Sequence, residues 1–169
     1  MAGLQALNAL AAKLAREAFQ RCCGSAGWVQ GMLMRRPFKS EDDLFSAAGE
    51  VWQSLSKADY LEAFAHHPRI GGKDALRAKF AATRDLAQGE QSGASAASEE
   101  TLEALSQSNA QYEKRFGYIF IVCATGKSAA EMLGLLHTRL SHSPDRELAI
   151  AAGEQAKITA LRLKKLLEV

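Results

Sequence analysis

The first candidate for chemistry in this chain is a histidine that stands where a helix must stop. His67 is followed directly by Pro68 and then, after two residues, by Gly71 and Gly72. Pro68 lacks an N–H group and biases the residue before it toward extended backbone, so a helix is predicted to end at His67. The two glycines allow a tight turn afterwards. Since imidazole moves protons well near neutral pH, His67 can act as an acid or a base if it faces a cavity.

A histidine at a helix end has an ordinary explanation as well. An imidazole is favourable near the negative end of the helix dipole, and taken alone the His-Pro pair is more typical of such a cap. Glu90 is the candidate partner, because a carboxylate can orient an imidazole, raise its pKa or bind a polar substrate. Gln91 offers both a donor and an acceptor. The ordinary alternative for Glu90 is a solvated charge in a loop predicted over residues 87–98.

An arginine on the apolar side of the last helix is the third candidate. One stripe at helical spacing contains Leu148, Ala151, Gln155, Ile158 and Arg162. A guanidinium near an apolar face needs a carboxylate or an anionic ligand. The alternative is snorkelling at the helix end, and the periodicity leaves both explanations open.

Composition excludes several other classes of protein. The 169 residues predict one domain over residues 1–169, and 21 basic against 19 acidic residues, scattered along the chain, do not favour nucleic-acid binding. No apolar run is long enough for a membrane span, and we expect no signal peptide. We also expect no metal site, because no Cys/His zinc spacing occurs. Three cysteines, two of them adjacent, favour a reducing cytoplasm.

The elements that must position these residues are predicted to be helices. Prolines occur only at positions 37, 68 and 144, and alanine and leucine dominate. Caps and apolar stripes predict helices from Leu7 toward Phe19, from Ser40 through Val51 and Leu55, around Tyr60 and Phe64 up to His67, from Leu102 to Phe116, after Ser128, and after Ser143. The fold class is therefore an all-α, single-domain helical bundle.

One short segment interrupts this helical pattern. Residues 118–124 are β-branched, aromatic or small, lie between Gly117 and Gly126, and predict a buried extended segment. The sequence offers no convincing partner strand, so its backbone groups need other partners. The segment either continues as helix, pairs with other parts of the chain or water, or binds a ligand.

The order and spacing of these pieces resemble one known family. They are Ser25-x-x-Trp28-Val29 followed by Arg36-Pro37-Phe38; residues 62–71, which contain His67-Pro68; Glu90-Gln91; Tyr112-x-x-Arg115-Phe116-Gly117 followed by Phe120-Ile121-Val122-Cys123-Ala124; and Lys157-Ile158-x-x-Leu161-Arg162-Leu163. The chain resembles, over nearly its whole length, 2-oxo-4-hydroxy-4-carboxy-5-ureidoimidazoline (OHCU) decarboxylase of urate degradation. The resemblance implies an all-helical fold, a homodimer, a small-molecule substrate and no metal or organic cofactor.

The resemblance also implies the residues of the site. His67 would be the proton donor, with Glu90 as a second catalytic residue. The substrate-binding residues would be Pro68, Ala87, Gln88, Gly89, Gln91, Phe120, Ile121, Val122, Cys123, Ala124 and Arg162. Ala87 stands where the family has a serine, and its methyl side chain cannot make the hydrogen bond to the substrate that the resemblance implies for the serine hydroxyl.

The expected activity is a carboxy-lyase reaction that converts OHCU to (S)-allantoin. No cofactor is needed because the substrate itself delocalises the electron pair left by CO2 as an enolate. Two rivals remain open at this point: a cofactor-free hydrolase or isomerase of a related ureido compound, and a non-catalytic helical binding module in which His67 only caps a helix.

Overall fold

The prediction of an all-α protein is confirmed. The structure is a computed structural model that describes residues 3–68, 72, 74–78, 80 and 98–169, and these residues contain helices, turns and loops but no strand. Residues 74–78 are helical. The named helices are α1 (Leu4–Ala9), α2 (Ala12–Cys22), α3 (Ala26–Arg35), α4 (Glu41–Gln53), α5 (Lys57–Ala65), α6 (Glu99–Phe116), α7 (Ala129–Leu140) and α8 (Pro144–Glu168).

The residues group into two compact units. The first unit comprises Met1–His67 with Ala152–Val169, and the second unit comprises Pro68–Ala151. The division falls near Pro68 and within α8, not in the small-residue stretch over residues 87–98. A single domain over residues 1–169 stays a prediction.

The first predicted helix is in fact two helices. The sequence predicts one run from Leu7 toward Phe19, but Leu10 and Ala11 adopt extended ψ angles of 138° and 150°. Arg36 explains the break, because its guanidinium donates to the carbonyl of Leu7 at 3.1 Å and to that of Leu10 at 2.8 Å. These bonds satisfy carbonyls that an isolated helix end leaves without partners. The partner lies 26 residues or more along the chain, so the local pattern carries no sign of it.

The predicted N-terminal caps are confirmed. The hydroxyl of Ser40 accepts from the Asp43 N–H at 3.0 Å, and that of Ser128 accepts from the Glu131 N–H at 3.1 Å. Helix α8 begins at Pro144, directly after Ser143, whose hydroxyl accepts from the Arg146 N–H at 3.3 Å. Serine at these positions satisfies N–H groups that the first turn of a helix cannot pair internally.

Helix α3 is the centre of the first unit, and it packs against α2, α4 and α5. Trp28 is fully buried on α3, lies edge-to-face with Phe19 and donates its indole N–H to the Ala48 carbonyl at 3.1 Å. Trp52 of α4 likewise donates to the carbonyl of Ala152 in α8 at 2.9 Å. These buried donors fix the helices in register as well as burying apolar area.

The second unit contains a buried ion pair beside an apolar core. Helix α6 packs against α7, and the core includes Leu102, Leu105, Met132 and Leu136. Glu147 has 0% exposure and Arg139 has 5%.

Three side chains contact the buried carboxylate of Glu147. The Nη2 of Arg139 lies 2.7 Å from the Oε2 of Glu147. The Tyr112 hydroxyl donates to the same oxygen at 2.5 Å, and the Nδ1 of His142 lies 3.2 Å from Oε1. Burial, reinforced by Glu147, raises the pKa of Tyr112, so its phenol stays protonated and remains a donor.

Glu147→Gln is expected to lower the free energy of unfolding by about 3–5 kcal/mol, because it leaves the Arg139 charge buried without a full counter-charge. Urea denaturation followed by circular dichroism measures the change. The matched control is Glu50→Gln, which breaks the exposed ion pair with Arg35 and is expected to cost about 0–1 kcal/mol. Equal stability of the two variants would contradict the structural role given to Glu147.

Candidate active site

The helix stop before Pro68 is confirmed, although it comes slightly earlier than predicted. Helix α5 ends at Ala65 with His66 as the cap, and the His67 N–H donates to the carbonyl of Phe64 at 3.2 Å. His67 is half-buried, whereas His66 and Pro68 are exposed. The imidazole of His67 is thus held just past the end of a helix, on non-helical backbone.

The imidazole of His67 contacts a buried amide. Its Nε2 lies 2.5 Å from the Oε1 of Gln155. Gln155 has 0% exposure, and its Nε2 donates to the Oγ1 of Thr159 at 3.1 Å. A chain of three polar groups therefore runs from His67 through Gln155 to Thr159 on α8.

The surroundings of His67 favour its neutral form. Burial is the main cause that lowers its pKa below 6.5, and the positive charge of Arg162 and the neighbouring His66 act in the same direction. The hydrogen bond to Gln155 opposes these effects. A neutral imidazole has one nitrogen with a free lone pair, so it starts as a base and becomes a donor after it takes up a proton.

Arg162 is half-buried, as its position on the apolar stripe predicted. Its Nη1 lies 3.5 Å from the carbonyl of Cys22, at the C-terminal end of α2, and no carboxylate among the described residues pairs with it. Burial raises the pKa of the Cys22 thiol to about 11, so this thiol is neutral near pH 7. Of the alternatives for Arg162, a buried carboxylate partner does not occur among the described residues, whereas an anionic ligand and snorkelling at the helix end both stay open.

A glycine makes room for the end of α5. A Cβ atom added to Gly24 would lie well inside van der Waals contact of the Cβ and ring carbons of His66. The carboxylate of Glu62 also accepts from the Ala26 N–H at 2.5 Å, at the start of α3. These two contacts tie the α2–α3 connection to the last turn of α5 and so help to place His67.

The segment over residues 118–124 lies in the second unit, and the alternative that it continues as helix is wrong. Residues 119–124 are neither helix nor strand, and Ile121 is the fully buried one among them. Arg139 donates to the carbonyl of Ile121 at 2.6 Å and lies over the ring of Phe120 at 4.5 Å from its centroid. The Nζ of Lys127 donates to the carbonyl of Cys123 at 2.8 Å. Side chains therefore bind its carbonyls.

The carbonyls of Ile121 and Cys123 accept hydrogen bonds from side chains, but the N–H groups of this segment are not paired in the same way. Among the residues that the structure describes, no backbone carbonyl accepts from the N–H of Phe120, Ile121 or Val122. Backbone donors of this kind can bind the oxygen atoms of a ligand.

The remaining predicted site residues lie outside the described part of the chain. They are Ala87, Gln88, Gly89, Glu90 and Gln91. In the first unit, the positive charge of Arg162 acts on the imidazole of His67. Pro68 and residues 120–124 belong to the second unit.

Sequence reasoning missed Gln155 as the partner of His67, and Thr159 as the partner of Gln155. The available signal was that Gln155 is a polar residue on the same apolar stripe as Arg162. A polar residue in such a place needs a partner as much as a charged one does.

No group of three His, Cys, Asp or Glu side chains that could hold a metal ion occurs among the described residues, and the expectation of a metal-free, cofactor-free protein stays a prediction. Within the same residues, no helix has the length and apolar character needed to cross a membrane.

A half-buried imidazole is hydrogen-bonded to an amide, and the cation near it has no carboxylate partner among the described residues. In a helical protein, this arrangement is suited to acid–base chemistry on an anionic substrate. Comparison with known proteins agrees with this class. The family model described as OHCU decarboxylase matches residues 8–164. The chain therefore belongs to the OHCU decarboxylase family, and the predicted family and enzyme class, a carboxy-lyase, are confirmed.

Individual relatives cover most of this chain. The uric acid degradation bifunctional protein TTL of Arabidopsis thaliana is 34% identical over 157 residues, which are 93% of this chain and 48% of that protein. The chain thus spans about half the length of this relative. The OHCU decarboxylase of Mus musculus is 34% identical over 145 residues, which are 85% of this chain and 77% of the mouse protein.

Two solved structures share the fold. A crystal structure of OHCU decarboxylase in the presence of (S)-allantoin has a TM-score of 0.71 and 37% identity, and covers 89% of this chain and 97% of its own. A crystal structure of (S)-allantoin synthase has a TM-score of 0.73 at 17% identity, covers 99% of this chain and 54% of its own, and shows similarity of fold alone.

Gly24→Ala is expected to destabilise the protein by about 1–3 kcal/mol, since the added methyl group must displace His66 and the end of α5. The NMR signals of the His67 imidazole should shift with it. Gly49→Ala, in the middle of α4 where no atom lies within 4 Å of the new Cβ, is the control and should add up to about 1 kcal/mol of stability. A Gly24→Ala protein as stable as wild type, with unshifted His67 signals, would refute this placement of His66.

Proposed function

We propose that this protein catalyses the cofactor-independent decarboxylation of OHCU to (S)-allantoin in urate degradation, with His67 as the proton donor. The observation that carries the proposal is the half-buried His67, with its Nε2 2.5 Å from Gln155 and with the charge of Arg162 nearby. Membership of the OHCU decarboxylase family supports it. So does the similar crystal structure, which was determined in the presence of (S)-allantoin.

The chemistry requires one proton overall. In OHCU a hydroxyl and a carboxylate share carbon 4 of the ring, and the ureido group is on carbon 5. The bond from carbon 4 to the carboxylate breaks, CO2 leaves, and the electron pair delocalises over the adjacent unsaturated bond between carbon 5 and nitrogen to give an enol. The ring nitrogen takes up the one proton that the reaction consumes. The hydroxyl on carbon 4 then loses its proton and becomes the carbonyl of allantoin, while carbon 5 gains a hydrogen.

His67 supplies the proton transfers in this scheme. Its neutral imidazole takes a proton as the hydroxyl on carbon 4 becomes a carbonyl, and delivers a proton to carbon 5. Delivery from one fixed side chain reaches one face of the planar intermediate, so a single enantiomer forms. General acid–base catalysis of this kind is typically worth about 10²–10⁴-fold in rate.

Arg162 binds the anionic oxygens of the substrate in this proposal. The lack of a carboxylate partner among the described residues supports this role. The N–H groups of Phe120, Ile121 and Val122 are proposed donors to ring or enolate oxygens, and Arg139 fixes the backbone between them by holding the Ile121 carbonyl. Preorganised donors of this kind stabilise developing negative charge without reorganising during the reaction.

The other proposed site residues rest on the resemblance alone. Glu90 either binds the ureido N–H groups or crowds the departing carboxylate. The substrate contacts also include Pro68, Ala87, Gln88, Gly89, Gln91, Cys123 and Ala124. A homodimer and a cytoplasmic location belong to the same proposal.

His67→Asn is expected to lower turnover of OHCU by about 10²–10⁴-fold while the protein stays folded. OHCU is generated in situ from urate with urate oxidase and 5-hydroxyisourate hydrolase, and circular dichroism follows (S)-allantoin. His66→Asn, at the exposed neighbour, is the matched control and should keep most of the activity.

Three outcomes of this assay would contradict the proposal. If His67→Asn turns over at a near-normal rate, His67 is not the proton donor. If the wild type consumes the substrate without releasing CO2, the protein is a hydrolase or isomerase. If it does not accelerate the spontaneous reaction, a binding module is the better description.

The pH dependence follows from the environment of His67. Because burial lowers its pKa, the imidazole stays neutral to a lower pH than a free histidine does. We therefore expect kcat/KM to fall on the acid side with an apparent pKa below 6.5, as protonation removes the lone pair. Initial rates between pH 5 and 8 test this with OHCU prepared at neutral pH and diluted into each buffer. An acid limb centred above 6.5 would exclude a neutral His67 as the starting form.

A further inference from the structure

We propose that Gln155 is a positioning residue that fixes the tautomer and the orientation of the His67 imidazole. The proposal rests on the proposed function only for the catalytic use of His67. The claim about the imidazole itself concerns the resting protein and can be tested without substrate.

Both polar ends of the buried Gln155 amide contact other side chains of the protein. A glutamine in a buried position loses its hydration, and each of its polar atoms then needs a partner. Its Oε1 is 2.5 Å from the Nε2 of His67, and its Nε2 donates to Thr159 at 3.1 Å. An apolar residue would fill the same space on α8 without these requirements.

The hydrogen-bond chain determines which nitrogen of His67 carries the proton. The NH2 group of Gln155 donates to the hydroxyl oxygen of Thr159 at 3.1 Å. The amide therefore presents its NH2 to Thr159 and its carbonyl oxygen to His67. A carbonyl oxygen only accepts, so the Nε2 of neutral His67 must carry the hydrogen. The lone pair is then on Nδ1, which is the nitrogen left to take a proton from a substrate.

Other groups around His67 act on its charge but not on its tautomer. Among the described residues, Arg162 on α8 and the neighbouring His66 are the charged or titratable groups that affect its titration. Gln155 is the group that contacts the ring nitrogen directly, so it sets the direction of the hydrogen bond.

NMR of the imidazole nitrogens of the full chain tests the proposal. His67→Asn assigns the His67 signals among the four histidines of the chain. In wild type we expect the Nε2–H tautomer. Gln155→Glu should raise the pKa of His67, because a carboxylate stabilises the imidazolium, and Gln155→Met should lower it and mix the tautomers. Gln53→Glu, which adds the same charge at an exposed position of α4, is the control and should leave His67 unchanged.

Kinetics separate positioning from a general structural role. If the wild type decarboxylates OHCU, Gln155→Met should lower kcat on the order of 10²-fold with a smaller change in KM, because the ring is misplaced for proton transfer. Its kcat/KM profile should shift along the pH axis in the same direction as the NMR titration. Should Gln155→Met fail to fold, Thr159→Val keeps the test open: it frees the amide of Gln155 to turn and should still mix the tautomers of His67.

The NMR titration by itself can overturn the proposal that Gln155 positions the His67 imidazole. Folded Gln155 variants in which the titration and tautomer of His67 equal those of wild type would show that Gln155 does not position the ring. If the wild type has no decarboxylase activity but the NMR shifts occur as expected, the proposed function fails while the positioning role of Gln155 stands.

Discussion

The structure depends on the requirement that polar groups on the buried side of one helix find partners. Helix α8 carries Glu147, Gln155 and Thr159 at buried positions, and Arg162 at a half-buried one. A buried polar group without a partner costs roughly 1–3 kcal/mol, and a buried charge costs more. The three buried side chains, Glu147, Gln155 and Thr159, therefore fix the groups around them.

Glu147, near the start of α8, and Gln155, further along it, hold different parts of the protein in place. In the second unit, Glu147 holds Arg139, and Arg139 holds the carbonyl of Ile121. In the first unit, Gln155 holds the imidazole of His67. The same physical requirement thus keeps an irregular segment in shape at one end and places a titratable ring at the other. Burial alone would only make His67 neutral, whereas a directed hydrogen bond also gives it an orientation.

Much of the fold follows from local signals in the sequence. The serine caps at positions 40, 128 and 143 and the stop before Pro68 are determined by neighbours within four residues, and they were predictable. The break between α1 and α2 was not, because Arg36 reaches it from far along the chain. The partners Arg139 and Glu147, and His67 and Gln155, are also distant in sequence. Periodicity shows that a polar residue faces the core but does not identify its partner. Glu90 and its neighbours came from the resemblance, and their placement lies outside the described residues.

In the proposed reaction a single side chain, His67, delivers a proton to one face of the decarboxylated intermediate. The enantiomeric composition of the allantoin formed in D2O, together with deuterium at carbon 5, tests this step for wild type and His67→Asn. We expect (S)-allantoin deuterated at carbon 5 from wild type, and racemic product at the background rate from His67→Asn. Racemic allantoin from an active wild type, or (S)-allantoin still formed by the variant, would contradict it.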